Sequence, residues 1–222
     1  MNEPEVMVYL MTGFLDSGKS QFLKFTLTQD YFQIDGTTLL ILCEEGEEEF
    51  DVLEMAKHGV KIIKIEDQEE LTEAFLNELN EKYSPERVVI EYNGMWKVSD
   101  FEAMQLPNGW GIEQKLTTVD ASTFQMYLNN LKPLFVEMVR GAELVLFNRC
   151  TEVEPLAGYR RSVKVVSPQA EVIFEDENGE IEDIFGDHVP YDLEAPVIEI
   201  PREDYGIWYV DVMENPDRYK GK

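Results

Sequence analysis

Val6-Met-Val-Tyr-Leu-Met11-Thr12-Gly13-Phe-Leu-Asp16-Ser17-Gly18-Lys19-Ser20 is the stretch that decides how the rest of the chain is read. Val6–Met11 is an almost unbroken apolar run, the pattern of a strand buried on both faces. Gly13-x-x-x-x-Gly18-Lys19-Ser20 follows it directly, and Gln21–Leu27 has helical character. A strand, a loop bracketed by glycines and then a helix is the context in which this spacing cradles phosphate. The glycines let successive N–H groups curl inward onto phosphate oxygens, and the helix start adds the positive end of its dipole. Lys19 is the residue to reach the outer phosphates, and the Ser20 hydroxyl is the one to ligate Mg²⁺. Gly13, Asp16, Ser17, Gly18, Lys19, Ser20 and Gln21 are therefore the candidate nucleotide-binding residues, with Lys19 also a candidate catalytic one.

Working outward, short apolar runs recur at Leu39–Cys43, Val60–Ile65, Arg87–Tyr92, Leu116–Ala121 and Leu144–Asn148. Between them, Leu71, Phe75, Leu76 and Leu79 fall at helical spacing. Phe124, Leu128, Leu131 and Phe135 do the same, with Pro133 marking a break or a new first turn. Strands alternating with helices predict an α/β fold of the P-loop NTPase type: a mostly parallel sheet flanked by helices, with its site at the carboxyl ends of the strands.

Past Ser162 the texture changes. Glu171–Phe174 reads as a short strand and Asp176-Glu-Asn-Gly179 as a hairpin turn. Pro190, Pro196 and Pro201 suggest a linker, and Tyr205–Met213 reads as a strand. The expected organisation is a nucleotide-binding domain over 1–187, a linker over 188–204 and the opening of a further β-unit over 205–222. That gives a short β-rich C-terminal extension and makes the chain read as a part of a longer protein. No internal repeat is present.

The net charge is −26, from 19 Lys and Arg against 45 Asp and Glu. A surface this negative repels phosphate backbones and anionic lipid, which argues against nucleic acid as a partner. Disorder is excluded by 44% hydrophobic and 11% aromatic residues. Cys43 and Cys150 form neither a disulfide framework nor a Cys-x-x-Cys metal site. The acidic N-terminus lacks the basic region of a signal peptide, and no apolar run is long enough to span a membrane. The expected location is the cytoplasm.

Seven acids and no base lie between Glu44 and Glu54. Glu44 and Glu45, at a strand's carboxyl end, admit two readings: a solvated loop, or a switch loop and oxygen ligands for a metal. Glu47 to Glu54 read as a solvated face and the acidic first turn of a helix. Val88-Val-Ile-Glu91-Tyr-Asn-Gly94 is a buried strand ending in a carboxylate, the form of an acid that holds Mg²⁺ or its water shell. Glu91 is accordingly a candidate catalytic and metal residue. Asp120, at the next strand tip, is either a further acid of the metal site or a helix N-cap. His58 and His188 are isolated and read as structural or solvated.

Leu144-Val-Leu-Phe-Asn148-Arg149-Cys150-Thr151 falls where an Asn-Lys-x-Asp motif reads guanine. Asn148 and Arg149 are candidate base-binding residues. Thr151 replaces the aspartate, and a hydroxyl cannot make the bidentate, charge-assisted contact. Glu152 is adjacent and takes that role if the register shifts.

Together these motifs resemble the CobW-like metal-chaperone GTPases, whose phosphate loop reads T-G-F-L-G-x-G-K-T, with HypB and UreG nickel-insertion GTPases as wider relatives. Thr12-Gly13-Phe14-Leu15 carries the specific part. Glu44-Glu45-Gly46, Glu91-x-x-Gly94, Val119-Asp120-Ala121, Ala142–Asn148 and Ser167-Pro-Gln-Ala170 fall in the family's order, over about residues 5–180. The departures are specific too. The Cys-x-Cys-Cys expected after the third strand is replaced by His58–Asp67, so the thiolate site is missing. Asp16 and Ser17 stand in for the usual Gly and small residue. The tail from Tyr205 resembles the start of a small OB-like domain.

The resemblance implies Mg²⁺-dependent binding and hydrolysis of GTP (or ATP). Ser20, Glu44, Glu45, Glu91 and Asp120 are the metal candidates, and Glu44 or Glu45 reports the γ-phosphate. It further implies handling of a transition metal or a protein partner, and a nucleotide-dependent homodimer. The alternative is a non-catalytic nucleotide-sensing or partner-binding module with relaxed base specificity, favoured by Thr151 and the missing cysteines. A small-molecule kinase lacks any acceptor-site signature.

Overall fold

The computed structural model describes residues 4–44, 46, 49–151, 153, 156–181, 184, 189, 191–193, 195, 197–202 and 204–221. Among the described residues eight strands form one sheet: β1 (Val6–Thr12), β2 (Thr38–Leu42), β3 (Val60–Lys64), β4 (Arg87–Glu91), β5 (Trp110–Asp120), β6 (Leu144–Asn148), β7 (Glu171–Asp176) and β8 (Gly179–Glu180). Their order is β3-β2-β4-β1-β5-β6-β7-β8. Every pairing is parallel except β7 with β8, the hairpin closed by the turn Glu177-Asn178. The helices are α1 (Lys19–Leu27), α2 (Val52–Lys57), α3 (Glu73–Tyr83), α4 (Val98–Glu102), α5 (Ala121–Asn130), α6 (Lys132–Val139), α7 (Leu156–Lys164) and α8 (Tyr205–Glu214).

Side-chain alternation along the strands sorts the core into two layers. Leu39, Ile41, Val88, Ile90, Val145, Phe147, Val172 and Phe174 join the larger cluster, which includes residues of α3 to α7. Leu40, Leu42 and Val89 join the smaller one, with Leu23 and Leu27 of α1 and Met55 of α2. Covering both faces is what turns these strands into continuous apolar runs. The same period aims the tip of β4. Val89 faces α1, so Glu91, two residues on, faces the start of α1 as well.

Pro133 does open a new helix. It lies in the first turn of α6, directly after α5 ends. Asp51 caps α2, accepting from the N–H groups of Leu53 at 2.8 Å and Glu54 at 3.1 Å. That places Asp51 and Glu54 at a helix start, where their charge suits the dipole.

One expectation about the C-terminal third is corrected. Tyr205–Met213 is not a strand but helix α8, so the tail does not open a β-unit. Its aromatic and β-branched residues favour a strand, but a short apolar run does not by itself separate strand from helix. Helical spacing buries Asp211 against Tyr191 and Tyr219, and Gly206 lets the helix approach Arg161 of α7. Tyr191, placed in the expected linker, is buried at 7% exposure. Helix α7 was not expected either; it buries Leu156, Tyr159 and Val163, spaced at three and seven residues.

Candidate functional site

The carboxyl ends of β1, β2, β4, β5 and β6 bring most of the predicted residues together. The loop after β1 is shaped by its glycines. Gly13 has φ +146°, and a Cβ there would meet Ser17 Oγ and Thr118 O, each at 2.5 Å. Gly18 has φ +90°, with Asn148 Nδ2 2.6 Å from where its Cβ would lie. Asp16, in place of the usual glycine, still takes the left-handed conformation at φ +59°, which a short polar side chain tolerates better than most. Phe14 anchors the loop by stacking on Tyr127 of α5, ring centroids 4.2 Å apart. Ser17 Oγ is 2.9 Å from Thr118 Oγ1. Tyr127 and Thr118 were not expected as supports, because nothing in their spacing marks which loop they touch.

Lys19 is 3% exposed. Its Nζ donates to the carbonyls of Gly13 at 3.0 Å and Phe14 at 2.9 Å. It also pairs with Glu44 Oε2 at 2.5 Å. The other oxygen of Glu44 accepts from the backbone N–H of Gly94 at 3.4 Å. One carboxylate thus bridges Lys19, which the motif assigns to the outer phosphates, and the backbone N–H of Gly94. Gly94 must be glycine, since a Cβ would sit 2.4 Å from Gly13 O.

Ser20 Oγ donates to Glu91 Oε1 at 2.7 Å. Glu91 is 2% exposed, and its Oε2 is buried with no hydrogen-bond partner. Burial pushes its pKa up, against the opposing effects of Ser20 and Lys19, and Glu44 adds to the rise. A buried carboxylate oxygen left open beside a hydroxyl is a hard donor pair suited to Mg²⁺. Ser20, Glu44 and Glu91 all line a cavity of about 110 Å³ in front of the loop.

Asp120 is not brought to this pair. It caps α5, accepting from Ser122 N at 2.9 Å and Ser122 Oγ at 2.6 Å, and it pairs with Arg149 Nη1 at 2.6 Å. Burial alone would raise its pKa, but the bonds from Ser122 and Arg149 outweigh that and hold it low. Arg149 Nη1 also donates to Asp16 O at 2.7 Å, and Asn148 Nδ2 donates to Ser17 O at 2.8 Å. The end of β6 therefore braces the phosphate loop. Beyond this brace lies a larger cavity of about 700 Å³, running from Gly18 and Gln21 to Thr151.

Both thiols are buried, and burial pushes their pKa values up, that of Cys150 to about 11. Neither is a ready thiolate. Among the described residues no group of three His, Cys, Asp or Glu side chains is placed to hold a metal ion. Glu45, Glu47, Glu48, Glu152 and His188 lie outside the described residues. Among the described residues no helix is long and apolar enough to cross a membrane.

Sheet order, loop and strand-tip acid define a P-loop nucleotide-binding domain. The chain belongs to the CobW/HypB/UreG nucleotide-binding domain family, whose sequence model matches residues 7–174. Among solved structures it is similar to the YjiA GTPase of E. coli in its Zn(II)-bound form, at 21% identity and TM-score 0.58, over 82% of this chain and 60% of YjiA. It is similar to the hydrogenase maturation factor HypB of Archaeoglobus fulgidus at 14% identity and TM-score 0.53, over 78% of this chain and 83% of that one. HypB of Helicobacter pylori, solved with nickel, matches at 10% identity and TM-score 0.52, over 97% of this chain and 88% of that one. At these identities the likeness is one of fold. The chain spans 60% of the length of YjiA. No functionally curated protein matches it significantly.

Proposed function

We propose that this domain binds GTP with Mg²⁺ and hydrolyses it slowly, and that the arriving γ-phosphate displaces Glu44. The observation that carries this reading is the convergence of Lys19 Nζ and Gly94 N–H on a single anion, at present the Glu44 carboxylate. A γ-phosphate offers those donors more charge and more acceptor oxygens than a carboxylate does. Ser20 Oγ and the open oxygen of Glu91 would hold Mg²⁺, which would supply positive charge against that of the phosphates. The chain's own contribution is positioning. The loop N–H groups and Lys19 fix the triphosphate for in-line attack by water.

Displacement of Glu44 moves the loop that follows β2, which bears the acidic run. That movement is the natural output to a protein partner or a transition-metal cargo. Such a cargo would meet oxygen ligands here, because the two cysteines are buried thiols. Thr151, in place of the guanine-reading aspartate, favours a second reading, a nucleotide-sensing module without turnover.

Titration of the chain with a fluorescent GTP analogue in Mg²⁺, followed by a phosphate-release assay, tests both. Binding lost in Lys19→Ala, with slow release in the wild type, supports the first reading. Tight binding with no release selects the second. Binding indifferent to Lys19→Ala overturns both.

A further inference from the structure

The 700 Å³ cavity beyond the brace has a phosphate-loop end and an acidic end. Gly18 and Gln21 line the first, and Phe22 and Phe25 of α1 give it an apolar wall. At the other end stand Thr151, Glu175, Asp176 and Glu177, the last an exposed residue of the hairpin turn. Its size suits a nucleoside, and its position suits one whose phosphates lie on the loop.

Strand alternation decides which acid faces it. On β6, Val145 and Phe147 enter the core, so Leu146 and Asn148 face α1. On β7, Val172 and Phe174 enter the same core, and Phe174 stacks on Phe147 with centroids 4.8 Å apart. Ile173 and Glu175 must then face α1 too. Phe147 pairs with Phe174 in register, which sets Glu175 beside Asn148 at the two strand tips. The backbone is fixed there, since Cys150 N–H donates to Glu175 O at 3.1 Å. Asp176 is committed elsewhere, accepting from Asn178 N–H at 2.7 Å within the hairpin turn. Asn148 Oδ1, on the same cavity, is buried without a partner, an acceptor left over for a ligand.

We infer that Glu175 reads the base, its carboxylate accepting the N1–H and 2-amino protons of guanine in place of the aspartate missing at Thr151. Adenine presents an acceptor at N1 and carbon-bound hydrogen at C2, so it would leave the carboxylate unpaired. The reader has moved from the loop after β6 to the tip of β7, and the pocket keeps guanine selectivity despite an eroded motif. This rests on the nucleotide-binding reading above.

The test is titration of the full chain in Mg²⁺ with GTP, ATP, ITP and XTP, as wild type and as Glu175→Gln, Glu152→Gln and Lys19→Ala. The wild type is expected to bind GTP at least about tenfold more tightly than ATP, with ITP, which lacks the 2-amino group, weaker than GTP. Glu175→Gln is expected to lose about tenfold or more for GTP and to gain for XTP, because a carboxamide N–H can donate to the C2 carbonyl of xanthine. Its ATP affinity and melting temperature should stay unchanged. A GTP/ATP ratio that Glu175→Gln does not alter, or a switch produced by Glu152→Gln instead, overturns the inference. So does equal binding of GTP and ATP that still depends on Lys19, which leaves the nucleotide reading standing. Absence of any Lys19-dependent triphosphate binding overturns both.

Discussion

Glu91 at the tip of β4 and Asp211 in α8 are hidden to the same degree, at 2% and 0% exposure, but their partners differ. Asp211 is saturated. Tyr219 and Tyr191 donate to Oδ2, Asn215 Nδ2 donates to Oδ1 at 2.8 Å, and Arg218 Nη1 stands 3.6 Å from Oδ1. Glu91 has Ser20 on one oxygen and nothing on the other. A carboxylate whose lone pairs are all met by its own chain is a staple; here it ties the tail to Tyr191. A buried carboxylate left half open carries a desolvation cost that a further ligand or a proton removes.

Four substitutions probe that contrast, taken from the largest effect to the smallest. Lys19→Ala should weaken GTP binding by about a hundredfold, measured by fluorescence titration, since it deletes a buried charge-assisted contact to phosphate. Asp211→Ala should lower stability by about 1–3 kcal/mol in urea unfolding, because it strips Tyr191, Tyr219 and Asn215 of their shared acceptor. GTP affinity should stay unchanged in that variant, and a parallel loss of binding would break the comparison.

Glu91→Gln should do the reverse and stabilise the ligand-free chain by about 1 kcal/mol near pH 7. The sign follows from the raised Glu91 pKa. Between the ordinary carboxylate value, about 4.3, and the higher folded-state value, the folded chain keeps a proton that the unfolded chain has released. Wild-type stability therefore falls as pH rises through that window and is level above it. The glutamine variant lacks this slope, so its advantage should vanish as pH drops toward 4. Thermal melts at a series of pH values read it directly. Smallest of all, Glu44→Gln should tighten GTP binding a few-fold, because a neutral group holds Lys19 and Gly94 less firmly against an incoming phosphate.

How much of this was legible in the sequence depends on how local the signal is. The loop from Gly13 to Ser20 and the acid at Glu91 were readable because motif spacing and strand period fix both positions. Asn148 and Arg149 were readable as a strand tip; that they brace the loop through Ser17 O and Asp16 O was not, because it depends on β6 lying beyond β5 and β1 in the sheet. Asp120 admitted two readings, and the N-cap is the one the structure contains. The contact of Glu44 with Gly94 joins residues 50 apart across two strand ends, which no local pattern encodes. Tyr205–Met213 misled because aromatic and β-branched residues favour strands in general, while here they form a helix whose Asp211 is held by Tyr191, Tyr219 and Asn215.

On the proposed reading, the open oxygen of Glu91, with Ser20, is a place kept for Mg²⁺ under a bound triphosphate. Titration calorimetry of GTP with and without Mg²⁺, on the wild type and on Glu91→Gln, tests it most directly. Mg²⁺ is expected to tighten GTP binding to the wild type by about tenfold or more and to do little for Glu91→Gln. Equal Mg²⁺ dependence in the two proteins would contradict it.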